Sequence, residues 1–181
     1  MKNKGKVFEQ DFQNSCKSQL DLTRLKDPSS SFNIACAGCK KQVTRFSPQN
    51  ICDFIGYKYP NMFLFELKSC AGTSIPFKNI VKNNKDKRLQ DMAHKSEKKG
   101  IKAYVIFNWR AVQDVTYAVS AIKVKMYINA AERKSIPMDW TIEEGIKLLA
   151  QKKITRYSYD LSDLIITETD NNYDDLFAWK C

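Results

Sequence analysis

Residues 51–69 of this chain read ICDFIGYKYPNMFLFELKS, two arms rich in apolar and aromatic residues on either side of a Pro-Asn pair. Such arms around a turn signal predict a β-hairpin. If the turn is centred between residues 59 and 60, residues whose numbers sum to 119 face each other, so Asp53 lies opposite Glu66. Lys68 is then on the same face, and opposed side chains have Cβ atoms about 5 Å apart. The pattern therefore gathers two carboxylates and an ammonium in an otherwise apolar sheet.

Two explanations fit these three charges. Opposed carboxylates repel each other and buried charges lose solvation, and a hard divalent cation such as Mg²⁺ offsets both costs by binding carboxylate oxygens, waters and phosphate oxygens. Lys68 beside that metal could orient or deprotonate a water that attacks a phosphodiester. Alternatively, the hairpin lies on the surface, Glu66 and Lys68 are solvated, and Asp53 caps the turn.

The composition narrows the class of protein. With 181 residues, of which 43% are hydrophobic, the chain has the length of one domain with one substantial core. No stretch is long enough to span a membrane and the first residues lack a signal-peptide core, so we expect a cytoplasmic protein. The six cysteines are then expected as thiols. A single histidine, His94, argues against histidine-dependent triads and His-rich metal sites, which leaves carboxylates and lysines for any chemistry.

The net charge predicts the kind of partner. A formal charge of +10 and a pI near 9.3 indicate a polyanion, most commonly nucleic acid, with a merely soluble basic protein as the alternative. The excess is concentrated directly after the hairpin, in nine cations: Lys78, Lys82, Lys85, Lys87, Arg88, Lys95, Lys98, Lys99 and Lys102. The cationic surface is therefore expected beside the acid cluster.

Periodicity and capping signals predict the remaining elements. Helices are expected over residues 6–20, 86–99, 120–133 and, from a Thr-Ile-Glu-Glu capping box, 141–151. Strands are expected over 102–109 and 115–119, and residues 32–46 read as a loop or projecting ribbon. Strands separated by a helix indicate a layered α/β sheet. We expect one domain over residues 1–160 and an acidic tail over 161–181, a solvated end rather than a DNA mimic or partner handle.

Several stretches together resemble one protein family. They are Gly5-Lys6-x-x-Glu9, Asp53, Glu66-Leu67-Lys68, Thr73-Ser-Ile-Pro-Phe-Lys-Asn-Ile80 and Arg133-Lys-Ser-Ile136. The chain is similar in these stretches to the RecU family of Holliday junction resolvases, within the PD-(D/E)xK nucleases. Glu-x-Lys alone is a weak motif, but Glu-x-Lys followed at this offset by Thr-Ser-x-Pro-x-Lys-Asn is specific.

The resemblance implies a fold and an activity. The fold is an α/β restriction-endonuclease-like core with a mixed β-sheet flanked by helices. The activity is Mg²⁺-dependent cleavage of four-way DNA junctions by a homodimer in recombination and repair, with Mn²⁺ as a substitute metal. Carried over by position, Asp53 and Glu66 are metal ligands, Lys68 is the catalytic lysine, and Glu9 is the first-helix acid that supports the metal and its waters. The expected DNA contacts are Lys6, Thr73, Ser74, Lys78, Lys82, Arg88, Gln90, Arg133 and Lys134.

Two features depart from the family pattern. The family has a glutamine in the helix after the sheet, at a position where this chain has Arg88, with Gln90 two residues away. The family also has a long stalk before the motif aspartate, thought to enter the junction centre, whereas residues 33–44 are shorter here and contain Cys36-x-x-Cys39. These cysteines could form half of a zinc site or simply a thiol-bearing turn. The segments around Trp140 and Cys36 are the apolar candidates for a dimer interface.

Three functions stay open at this point. The leading one is a junction resolvase. The alternatives are a PD-(D/E)xK nuclease for other branched or duplex DNA, and a non-catalytic junction-binding recombination protein. Metal-dependent cleavage of plasmid or synthetic junctions distinguishes them.

Overall fold

The computed structural model describes residues 4–25, 34–35, 42–43, 50–81, 87–110 and 115–166. At its centre is a seven-stranded mixed β-sheet with helices packed on both faces. The predicted fold class is confirmed, since this is the architecture of a restriction-endonuclease-like α/β domain. None of the helices in these ranges is long and apolar enough to cross a membrane.

The described residues form eleven strands and five α-helices. The strands are β1 (Asp21–Arg24), β2 (Ile34–Ala35), β3 (Gln42–Val43), β4 (Phe54–Lys58), β5 (Asn61–Cys70), β6 (Ser74–Pro76), β7 (Ile101–Trp109), β8 (Val115–Ser120), β9 (Ser135–Pro137), β10 (Ile146–Lys153) and β11 (Arg156–Asp160). The helices are α1 (Lys4–Cys16), α2 (Arg88–Ser96), α3 (Ala121–Ala130), α4 (Met138–Glu144) and α5 (Ser162–Ile166), with a 3₁₀ turn at Phe77–Asn79.

The large sheet has the strand order β1-β4-β5-β7-β8-β10-β11. β5 and β7 run parallel, whereas the other neighbouring strands run antiparallel. β4 and β5 form the predicted hairpin in the predicted register, since Phe54 faces Phe65 and Lys58 faces Asn61. Asp53 is therefore placed at the start of β4, one step beyond the Phe54–Phe65 pair.

The sheet separates two apolar cores. On one face, α1 inserts Phe12 against Phe65, with the two rings 5.5 Å apart. On the other face, α2 and α3 pack Met92 and Val124 in the same core as Val105 of β7. Because successive residues of β5 point to opposite faces, Phe65 faces α1 while Glu66 faces α2.

Most predicted elements are present, the helices shorter and the two strands one residue longer than expected. The helix expected over residues 6–20 is α1, which ends at Cys16, and those expected over 86–99 and 120–133 are α2 and α3. The strands expected over 102–109 and 115–119 are β7 and β8. The ribbon expected over 32–46 contains the short antiparallel pair of β2 and β3, while Cys36 and Cys39 lie outside the described residues.

The helix predicted over residues 141–151 is wrong. Residues 146–153 form strand β10, which pairs with β8 and buries Leu148 in the α1 core. Thr141 lies inside α4 instead of capping a new helix, and its hydroxyl accepts a hydrogen bond from Trp109 Nε1 (2.8 Å). Pairing with β8 and burial of Leu148 outweigh the local capping signal, as tertiary context often does.

The segment assigned to the acidic tail begins inside the core. Leu161 and Leu164 are completely buried beside α1, and α5 follows β11 directly. Residues 167–181 lie outside the described residues. Leu161 and Leu164 therefore contribute to the packing of the domain.

Candidate active site

Asp53 lies where β4 begins, and its side chain continues the hydrogen-bond ladder. Its backbone N–H donates to the Phe65 carbonyl (3.0 Å), and its Oδ2 accepts a hydrogen bond from the Leu67 N–H (2.7 Å). On the other side, its carbonyl accepts a hydrogen bond from the Leu25 N–H (2.9 Å). The two backbone bonds hold Asp53 between β1 and β5 at the start of β4, and the bond from Leu67 orients its carboxylate.

Glu66 is a buried carboxylate, with 5% of the residue exposed. Its Oε1 accepts a hydrogen bond from Lys68 Nζ (2.8 Å), and Arg88 Nη1 lies 3.5 Å from the same oxygen. The second oxygen, Oε2, is buried and has no hydrogen-bond partner in the described part of the chain. An unpartnered buried carboxylate oxygen costs free energy and requires an explanation, such as a missing ion. The solvated surface hairpin weighed from the sequence does not fit this burial.

The acids interact electrostatically. Burial and the Glu66 charge raise the pKa of Asp53 to about 6, although the Leu67 N–H and the Lys68 ammonium favour its charged form. Glu9 raises the same pKa by a smaller effect. The neighbouring Cys52 is buried, and burial raises the pKa of its thiol to about 12, so it is a packing residue and not a nucleophile.

Arg88 enters the site from α2. It is the first residue of that helix, which packs Leu89 and Met92 on the sheet and leaves Gln90 exposed. The sequence placed both Arg88 and Gln90 among the DNA contacts and did not predict the approach of Arg88 to Glu66. The position of Arg88 in the sequence could have indicated this approach, because Arg88 occupies the place of the family's glutamine.

Glu9 is held by a different partner. Its Oε2 forms an ion pair with Arg24 Nη2 (2.6 Å), and Arg24 pairs with Phe54 across β1 and β4. Among the described ranges, no group of three or more His, Cys, Asp or Glu side chains is arranged to hold a metal. Glu9 therefore acts on Asp53 through its charge and is held by Arg24, and its role in supporting a metal stays a prediction.

The donor atoms that remain fit a hard cation. Asp53 and Glu66 supply carboxylate oxygens, and Glu66 Oε2 is an orphan. Mg²⁺ is usually bound through one or two carboxylates, with waters and substrate phosphates completing its shell. The two largest causes of the raised pKa of Asp53, burial and the Glu66 charge, are the costs that a bound cation offsets. Two acids are thus sufficient for this metal.

The two family-like stretches outside the acids are joined in space. β6 pairs with β9, with Ser74 opposite Pro137, and the Phe77 N–H donates to the Lys134 carbonyl (3.0 Å). This pairing was not predicted. Seven of the expected DNA contacts are exposed: Lys6, Thr73, Ser74, Lys78, Gln90, Arg133 and Lys134. Arg88 is mostly buried beside Glu66. Lys82 lies outside the described residues.

Comparison with known protein families supports this grouping. The model of the family described as Recombination protein U (RecU) matches residues 3–159 of the chain. That range includes the acids, Lys68 and both exposed stretches. A search of curated proteins found no match.

Proposed function

Because the chain belongs to the RecU family, we propose that it is a structure-selective DNA endonuclease that resolves four-way junctions with Mg²⁺. The observation that carries the proposal is the buried Glu66 carboxylate, of which Oε1 is bound to Lys68 while Oε2 has no partner in the described residues. A carboxylate with a purely structural role would have both oxygens satisfied. A metal ligand keeps one oxygen for the metal.

Each acid is oriented by a neighbour. The Leu67 N–H holds Asp53 Oδ2, and Lys68 with Arg88 holds Glu66 Oε1, so the two side chains that would bind Mg²⁺ are fixed before the metal arrives. When bound, Mg²⁺ supplies Lewis-acid stabilisation of the phosphate and lowers the pKa of the attacking water. Lys68 uses one of its three ammonium protons on Glu66 and has others to donate to that water or to a phosphate oxygen.

The DNA-binding surface is proposed on the strands that follow β5. β6 begins four residues after β5 ends. Its pairing with β9 places Ser74 opposite Pro137 at one end of the strand pair, and Lys134 beside Phe77 at the other end. Exposed hydroxyl and cationic side chains of this kind contact phosphates and position a duplex without reading its sequence. Lys78 and Arg133 extend the same surface.

Junction resolution also constrains the assembly. Two nicks in opposing strands need two sites, and one chain provides a single group of Asp53, Glu66 and Lys68, so the working unit is a two-fold homodimer. Of the two interface candidates, Trp140 is partly used within the chain, since its ring lies 4.3 Å from that of Tyr127. The Cys36 segment lies outside the described residues.

The test uses the purified protein with a synthetic four-way junction. With Mg²⁺ or Mn²⁺ we expect paired nicks in opposing arms, and with Ca²⁺ we expect binding without cutting. Binding to the junction should be at least about tenfold tighter than to duplex of the same sequence, a difference of about 1.4 kcal/mol. Equal cleavage of junction, flap and duplex would refute the resolvase and leave a general nuclease. Binding without cleavage in any metal would favour the non-catalytic alternative.

A pair of lysine variants separates chemistry from affinity. Lys68→Ala should cleave far more slowly while binding the junction nearly as well as the wild type. Lys134→Ala removes the same charge from the exposed surface, so it should weaken binding and reduce the salt-dependence slope by about one, while cleavage at saturating protein is retained. If Lys68→Ala lost affinity but cut normally at saturation, the lysine would be a phosphate contact and not part of the chemistry.

A further inference from the structure

The hairpin of β10 and β11 extends past the sheet at the end that carries the acids. Strand pairing follows one row across the sheet, from Lys68 to Phe107, from Phe107 to Tyr117, and from Tyr117 to Lys147. β10 runs in the same direction as β5, because β8 is antiparallel to both β7 and β10 while β7 is parallel to β5. The hairpin therefore continues toward the same end of the sheet as Lys68.

The length of this extension follows from the pairing. Leu148 is the last residue of β10 that pairs with β8, and beyond it β10 is paired with β11. Residues 149–153 at about 3.3 Å each carry the hairpin about 17 Å past Leu148, which is one residue short of the level where β5, β7 and β8 end. β10 is three strand positions from β5, about 14 Å. DNA held at the acids therefore passes within reach of the hairpin.

The charged residues in the projecting part of the hairpin are all cations, whereas its acid, Asp160, lies at the base opposite Leu149. No acidic residue occurs from Gly145 to Tyr159. Four exposed cations lie in the same span: Lys147, Lys152, Lys153 and Arg156. A projecting basic element beside a nuclease site is complementary to the phosphate backbone.

Helix α1 and the turn that follows it fix the orientation of the hairpin. The Asp11 carboxylate accepts a hydrogen bond from Arg156 Nη1 (2.9 Å), and the Gln19 side-chain amide donates to the Tyr159 carbonyl (2.8 Å). α1 therefore runs alongside β11 with its N-terminal turns toward the hairpin tip. Those turns carry two more exposed cations, Lys4 and Lys6.

Ile154 stands at the tip with 95% of its surface exposed. It is the first residue of a two-residue loop between the paired Lys153 and Arg156, and its φ is +46°. Positive φ at this position of a hairpin loop is normally taken by glycine, and it strains a β-branched residue. Single exposed apolar residues are ordinary. Ile154 is exposed and also strained. Glycine or asparagine would fit this turn better, so the isoleucine does not stabilise the fold.

We infer that the β10–β11 hairpin is a DNA-deforming element, in which the cations at its tip bind phosphates and Ile154 inserts between base steps. Apolar wedges of this type, introduced from the minor groove, partly unstack neighbouring bases and kink the duplex. The inference rests on the proposed function, because the DNA that it distorts is the DNA held at Asp53 and Glu66. A kink beside the cut site would favour branched DNA, which bends more easily than a continuous duplex.

The test measures unstacking directly. 2-Aminopurine is placed in turn at each position within one helical turn of the cleaved phosphate, and its fluorescence is recorded with wild-type protein and Ca²⁺. We expect a local several-fold increase with the wild type. Ile154→Asn should lose most of this increase while its thermal stability stays equal or rises, because asparagine tolerates positive φ. Lys152→Ala combined with Lys153→Ala should reduce the salt-dependence slope of binding by about two.

Met126→Asn is the matched control. Met126 is 64% exposed on α3, on the opposite face of the sheet from α1, and its replacement should leave the fluorescence increase unchanged. An unchanged increase with Ile154→Asn would overturn the inference while the proposed nuclease stands. A wild-type protein that neither binds nor cuts junctions would overturn both. Tip variants that lose binding to anionic vesicles but not DNA unstacking would assign the tip to a membrane surface and overturn the inference.

Discussion

Asp53 has a structural role that conflicts with its charge when no metal is bound. Its Oδ2 accepts the Leu67 N–H and so joins β5 to the start of β4, yet burial and Glu66 raise its pKa from 3.8 to about 6. A carboxyl whose pKa is raised on folding stabilises the protein fully below its unfolded pKa. That contribution is lost as the pH rises from about 4 to about 6 and stays lost above it.

Asp53→Asn should therefore stabilise the metal-free protein. Asparagine keeps an oxygen for the Leu67 N–H but carries no charge, so at about pH 8 the gain should be up to about 3 kcal/mol, and it should vanish below about pH 4. Urea unfolding with a chelator at several pH values measures this, and Asp21→Asn, at an exposed acid on β1, is the control. If Asp53→Asn were less stable than the wild type at the higher pH, the charge of Asp53 beside Glu66 would not destabilise the metal-free protein, which would contradict this prediction.

Arg88→Gln should tighten metal binding. Arg88 Nη1 lies 3.5 Å from Glu66 Oε1, so its positive charge repels a cation that binds the same carboxylate. Neutral glutamine at this position should raise Mn²⁺ affinity several-fold and lower the stability of the metal-free protein, because Glu66 loses a neighbouring cation. Mn²⁺ titration followed by electron paramagnetic resonance measures the affinity, with Gln90→Ala on the exposed side of α2 as the control. Unchanged or weaker Mn²⁺ binding would show that Arg88 mainly orients Glu66.

An element can be predicted from the sequence when the residues that determine its structure lie close together along the chain. The β4–β5 hairpin was predicted in its register because the Pro-Asn turn and the alternation around it are contained in nineteen residues. The proximity of Glu66 and Lys68 follows from their positions two residues apart on β5, and the place of Asp53 beside β5 follows from the register. The approach of Arg88 to Glu66 and the pairing of β6 with β9 depend on contacts distant in sequence, which no local pattern encodes.

The same distinction explains the error in β10. The Thr-Ile-Glu-Glu pattern resembles a helix start, and Ile146 and Leu148 are spaced as a strand requires, so two local signals compete. Pairing with β8 decides between them, together with Gly145, whose backbone is extended. A Cβ at Gly145 would lie 2.5 Å from the Thr141 carbonyl oxygen and 3.1 Å from Val119 Cγ2.

Gly145→Ala should consequently destabilise the fold. The backbone carbonyl of Thr141 cannot move without shifting α4, so we expect a loss of about 1–3 kcal/mol in the free energy of unfolding. Gly72→Ala is the matched control, because the nearest atom to a Cβ there is 4.0 Å away. Urea unfolding of both variants gives the comparison. Equal stability of Gly145→Ala and the wild type would mean that the end of α4 adjusts freely.

At the scale of the whole molecule, charge and topology act together. The chain carries a formal charge of +10. Its two central acids, the buried Glu66 and the partly buried Asp53, nevertheless lie at the end of the sheet toward which the basic β10–β11 hairpin projects. Polyanionic DNA is therefore attracted as a whole, while the acids repel phosphate until a cation is bound. We therefore expect affinity and cleavage to be separable, so that removing the charge of an acid leaves binding intact or stronger.

This separation allows the proposed homodimer to be tested by following the cleavage of each DNA strand. Dimers that pair one wild-type subunit with one Asp53→Ala subunit should bind a plasmid-borne cruciform normally but make a single nick, because each site serves one strand. The product should be nicked circles, whereas wild-type dimers give linear plasmid and Asp53→Ala dimers leave it supercoiled. Differently tagged subunits allow the mixed dimer to be purified, and light scattering should give twice the chain mass of 20.9 kDa. Linear plasmid from the mixed dimer, or from a monomer, would mean that one Asp53–Glu66 site cuts both strands in turn.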